Sequence, residues 1–148
     1  MNSIKSINST ANQLLRGELS AIETYTQAMH KFGASGGEGP LEKIHADHEA
    51  SAASLRKLIG ENGDLAATSS GPWGSFATTA EGLATMFGES PALLMLQQGE
   101  EHGVREYEDA LDDDDLSEVI KDLIRDKLLP AQRDHLVVLE RCKTNVAS

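Results

Sequence analysis

Only one cysteine, Cys142, occurs in 148 residues, which excludes an internal disulfide and suits a reducing cytosol. Positive charge is also scarce: 13 basic residues stand against 24 acidic ones, a formal net charge of −11. That balance argues against nucleic acid or an anionic membrane as partners and favours divalent cations. Nowhere does an apolar run approach the roughly 18 residues that span a bilayer. The opening Met1-Asn2-Ser3-Ile4-Lys5 lacks the apolar core of a secretory signal, so the expectation is a soluble, cytoplasmic chain. There is no glycine-rich phosphate loop, no serine nucleophile elbow, and no histidine placed to partner Cys142.

What the chain does have is helical periodicity. With 148 residues and 39% hydrophobic content it is long enough for one well-buried domain and short for two. Ile4, Ile7, Ala11, Leu14, Glu18, Ile22, Tyr25, Met29 and Phe32 alternate spacings of three and four without a proline, predicting a helix over 3–32 with Gly33 as its stop. After a glycine-rich turn, Pro40 opens a second helix, 40–59, ended by Gly60. Its seam reads Leu41, His45, His48, Ala52, Leu55, Ile59; the alternative, Ile44, His48, Ser51, Leu55, Leu58, turns His45 to the edge and keeps His48 inside. Residues 60–89 form a long connection in which Trp73, Phe76, Ala80, Leu83 and Phe87 suggest a short helix packed across the bundle.

A third helix, 90–111, starts with Ser90 as cap and Pro91 in first position. The run Asp112-Asp113-Asp114-Asp115 reads as a solvated turn, Asp115 capping a fourth helix over 116–143 with Glu118 in its first turn. Pro130 inside that helix predicts a kink and one lost backbone hydrogen bond, while Thr144 to Ser148 should fray. A long connection between two helix pairs returns the chain to its starting end, so that helix three runs parallel to helix two.

The second half repeats the first. Gly17-Glu18 and Gly99-Glu100 are each followed by a tyrosine seven residues after the glutamate, Tyr25 and Tyr107, and Asp47-His48 recurs as Asp134-His135. A glutamate interrupts an apolar stripe at the same place in both halves. An unpaired buried carboxylate costs several kcal/mol, so each needs a cation, a hydrogen-bonding partner or a proton. The four seams offer Glu18, His45 with His48, Glu100, and Gln132 with His135, each near the middle of its helix. The tyrosine hydroxyls are expected to bond into that layer, and His30 and His102, off the seams, to be exposed.

In these features the chain resembles the ferritin-like superfamily, in particular small bacterial members of unknown function. The resemblance covers nearly the whole chain and implies an all-α four-helix bundle of two hairpins joined by a crossover. It implies Glu18 and Glu100 as the single carboxylate ligands and His48 and His135 as the motif histidines of a dimetal site. The pattern is broken where His45 and Gln132 stand in place of the motif glutamates; Glu42-x-x-His45 fits the letters one turn early. Two carboxylates balance one divalent ion, iron or zinc by donor type, and a second ion needs further carboxylates, for which Glu49 and Glu101 are nearest. The resemblance thus implies a metalloprotein for iron storage, iron(II) oxidation or peroxide handling. The other reading is a metal-free, self-associating scaffold whose glutamates pair with protonated histidines in a buried layer fixing helix register. A homodimer through the crossover face carrying Trp73 and Phe76 fits either.

Overall fold

In the computed structural model of the chain, residues 9–32, 39–70 and 89–147 are described, and among them every regular element is helical. The first helix, α1, spans Thr10–Phe32. Ser9 caps it: its Oγ accepts from the Asn12 N–H at 3.3 Å, so the helix starts at Thr10 and not at Ser3 as its period suggested. Residues 1–8 lie outside the described residues, as do Gly33 and the turn up to Glu38.

Helix α2, Pro40–Glu61, begins as expected with proline in first position after Gly39. Its stop is not Gly60, which remains inside the helix, but Gly63 at φ 82°. There the Gly63 N–H returns to the Gly60 carbonyl at 3.0 Å and the Asp64 N–H to that of Ile59 at 3.1 Å. Past this stop, the buried Asn12 of α1 holds the chain: its Nδ2 donates to the Leu65 carbonyl and its Oδ1 accepts from the Ala67 N–H, both at 2.8 Å. The connection expected to carry Trp73 and Phe76, with any dimer face on it, falls in 71–88, outside the described residues.

Helix α3 spans Glu89–Ala110, so Ser90 lies within it and not before it. The fourth rod is a short α4, Glu118–Leu123, a π-helical turn, Ile124–Leu128, and α5, Leu129–Ala147. Ser117, not Asp115, is its cap, accepting from the Ile120 N–H at 3.3 Å. Asp115 sits in the preceding turn, its N–H bonded to Asp113 Oδ1 at 2.9 Å, while Asp113 also accepts from the Thr10 hydroxyl of α1. Pro130 has no N–H to donate, as expected, and just before it the Leu129 N–H reaches back five residues to the Ile124 carbonyl, widening the helix ahead of the ring that would crowd the Asp126 carbonyl. Beyond it α5 stays helical through Ala147 where fraying was expected.

Contacts fix the directions. Thr26 meets His45 while Glu18 meets His48, so α1 and α2 are antiparallel. Gln97 meets Glu140 while Glu108 meets Arg133, so α3 and α5 are antiparallel. Tyr25 meets Glu100 while Glu18 meets Tyr107, which sets α3 antiparallel to α1 and therefore along α2. The buried apolar side chains fall into two clusters, one around Leu15, Leu55, Ile59, Ile120 and Ile124, the other around Tyr25, Ile44, Leu96 and Leu139. Between them, on α1, α2, α3 and α5, lies a polar level. Among the described residues no helix is long and apolar enough to cross a membrane.

Candidate metal centre

The level between the two clusters is built from Glu18 of α1, His48 of α2, Glu100 of α3, and Gln132 and His135 of α5, none more than 4% exposed. Each stands where an apolar stripe would otherwise continue, flanked one turn away by residues such as Leu15, Ile44, Leu96 and Leu139. Five polar side chains this far from solvent need hydrogen-bond partners within the protein.

His48 is the centre of that exchange. Its Nδ1 lies 2.5 Å from Glu18 Oε2 and its Nε2 lies 2.8 Å from Glu100 Oε1. An ionised carboxylate only accepts, so both ring nitrogens carry protons and the ring is an imidazolium between two carboxylates. Burial, the largest single influence, pushes the His48 pKa down; Glu100 and then Glu18 outweigh it and hold it at about 10. Burial likewise pushes the Glu100 carboxyl up, and the His48 charge, followed by the contacts with His135 and His48, brings it down to about 2.

Two phenols brace the carboxylates crosswise. The Tyr25 hydroxyl of α1 donates to Glu100 Oε1 of α3 at 2.9 Å, and the Tyr107 hydroxyl of α3 donates to Glu18 Oε1 of α1. Burial first, and then the charge of the accepting glutamate, raises both phenols well above their ordinary pKa, so both stay protonated donors. Tyr25 also stacks on the His48 ring, centroids 5.5 Å apart. The second oxygen of Glu100, Oε2, accepts from Gln132 Nε2 at 2.5 Å. Gly103 makes that approach possible, since a Cβ there would collide with the Gln132 amide.

His135 differs. Its Nε2 lies 2.9 Å from Asp47 Oδ2 on α2, and because Asp47 accepts, that nitrogen carries the proton. Its other ring nitrogen, Nδ1, faces inward, 3.2 Å from Glu100 Oε1. It is a buried nitrogen without a hydrogen-bond partner, facing a carboxylate oxygen.

His48, Glu100 and His135 each offer a ligand atom within 4.8 Å of the others, and this buried cluster can hold a metal ion. The donor set fits such an ion. Each imidazole turns one nitrogen to Glu100 and keeps a carboxylate on the other, Glu18 for His48 and Asp47 for His135, which fixes the ring as in metal-bound histidines. Glu18 therefore lies behind His48 and outside the cluster of three.

No protein-family model, curated protein or solved structure matches the chain. The ferritin-like resemblance rests on the chain's own residues.

Of the residues expected at the site, Glu18, His48, Glu100, Gln132 and His135 meet, and His45 does not. His45 sits half-buried at the α1–α2 edge, its Nε2 3.0 Å from Thr26 Oγ1 and its Nδ1 3.3 Å from Glu49 Oε1. The cause is the rotation of α2, which buries Ile44 completely and so turns its neighbour about 100° away. Glu49 and Glu101 are exposed and bring no further carboxylate to the layer. Asp47 is the residue that periodicity missed. Its signal was the dipeptide repeated as Asp134-His135, yet the copies differ in use, for Asp134 is 57% exposed and lies 3.9 Å from Lys43.

Proposed function

We propose that the protein is a ferritin-like metalloprotein holding one divalent transition-metal ion, iron(II) or zinc, with His48, Glu100 and His135 as ligands. The observation that carries this reading is the inward Nδ1 of His135, buried without a hydrogen-bond partner beside Glu100 while Asp47 occupies the other nitrogen. Helix directions of two antiparallel hairpins, with a long stretch between α2 and α3, support the ferritin-like topology. Charge supports a single ion: Glu18 and Glu100 carry two negative charges into the layer. Bound iron supplies one-electron chemistry and bound zinc Lewis acidity, and storage, oxidation of iron(II) and peroxide handling all draw on the first.

Elemental analysis of protein purified without chelator tests the proposal. The expected result is near one transition-metal ion per chain, lost when Glu18→Ala is combined with Glu100→Ala. A second reading has its own support, because the His48 imidazolium is fully hydrogen-bonded between its carboxylates without any ion. In that reading the layer is a structural device of a metal-free, self-associating bundle. Its expectation is protein free of metal whose apolar replacements at Glu18, His48 and Glu100 melt higher than the parent, since buried ion pairs cost more desolvation than they return.

A further inference from the structure

The three ligands of the cluster are at most 1% exposed, so an ion reaches them only through the wall of the bundle. Between α1 and α3 lies a void of about 10 Å³, partly open to solvent, with room for about one water molecule. Gly17 and Gly103 line it without side chains, leaving polar groups around it: Glu18, His48, Gln132 and Glu106. Glu106 is the outer group, its side chain 27% exposed and 3.4 Å from His102 Nε2 at the surface. Glu18 and His48 are the inner ones, 4% and 1% exposed. One void thus touches a carboxylate at the surface, the carboxylate that holds His48 and, of the three ligands, His48 itself.

Resting on the metal-centre reading, we propose that this void is the ion's way in, with Glu106 the first carboxylate it meets and Glu18 the second. A dication sheds water only where other oxygens replace it, and carboxylates on the outer and inner sides of a void with room for one water do so stepwise. The opposite end of the hydrogen-bonded chain is unsuited to a cation. There Asp47 is held by Lys43, Nζ to Oδ2 3.5 Å, and that ammonium repels incoming positive charge.

Cobalt(II) is the probe, its visible absorption followed by stopped-flow mixing for uptake and by excess chelator for release. Glu106→Gln and, separately, Gly17→Ala are expected to slow uptake and release by the same factor, on the order of tenfold, leaving the equilibrium affinity unchanged. Glu108→Gln removes the same charge from the outer face, where Glu108 pairs with Arg133 at 2.9 Å, and is expected to leave both rates as in the parent. Parental rates in both Glu106→Gln and Gly17→Ala, with cobalt still bound, overturn the passage and spare the metal centre. Weakened affinity at parental uptake rate also overturns it, because Glu106 would then be a ligand. A parent chain that shows no cobalt spectrum overturns the metal centre and the passage with it.

Discussion

Gly103 is the residue at which the polar layer has least room to give. A glycine in a helix interior costs about 1 kcal/mol relative to alanine, and α3 bears that cost where the Gln132 amide needs the space to reach Glu100. Gly103→Ala gains the propensity and displaces the amide, whose hydrogen bond to a carboxylate contributes about 1.5–3 kcal/mol. The net expectation is a loss of about 1 kcal/mol in urea unfolding. The sign should reverse in the background of Gln132→Ala, where the added methyl meets empty space and the helix gains about 1 kcal/mol. A double-mutant cycle measures this. Equal effects of Gly103→Ala in both backgrounds would mean that the glycine is not there for Gln132.

The fourth rod shows the same accommodation at the scale of an element. Its buried residues Ile120, Ile124, Leu128 and Gln132 follow one another at intervals of four, and each such step in an α-helix overshoots a full turn by about 40°. The π turn over Ile124–Leu128 winds back part of that drift, so that Gln132 and His135 still face Glu100 beyond Pro130. A π turn is one residue more than an α-helix needs. Deleting the exposed Lys127 is therefore expected to cost less than deleting the exposed Arg133, which rotates His135 out of the layer and costs more than about 3 kcal/mol, read from thermal melts by circular dichroism. The run of fours was legible in the sequence, and with it the stripes, the glutamates that interrupt them, and the tyrosines that bond into them. What periodicity does not encode is which of two equally periodic seams faces inward, so that it admits His45 to the layer where Ile44 is buried instead. Nor does it encode reach across to another helix: Asp47 lies one residue off the stripe of α2, at the edge where it meets His135 of α5. Three helix ends moved for a local reason, a serine hydroxyl at Ser9 and at Ser117 and a left-handed glycine at Gly63 outweighing the period around them.

For the whole molecule, the two readings of the layer differ in how stability responds to pH. In metal-free protein the folded His48 has a pKa of about 10 against an ordinary 6.5, so its contribution is full below pH 6.5 and is lost as pH rises through 10. Glu100, at about 2 against 4.5, contributes fully above pH 4.5 and loses its contribution as pH falls through 2. Metal-free protein should therefore be most stable between pH 4.5 and 6.5 and weaken above it, by at most about 1.4 kcal/mol per pH unit from His48. An ion removes the alkaline slope. Ligation through Nε2 requires the proton to leave His48, so the ion's contribution grows with pH over the range in which the proton's contribution declines. With free ion at a hundred times its dissociation constant the gain is about 2.7 kcal/mol, or roughly 5–10 °C in Tm for a chain of this size. Melts in chelator and in excess zinc at pH 5, 7 and 9 should therefore lie close together at pH 5 and diverge at pH 9, the chelated protein falling and the zinc protein holding. Coincident melts at all three values would leave the proton as the layer's only cation and make the bundle a scaffold.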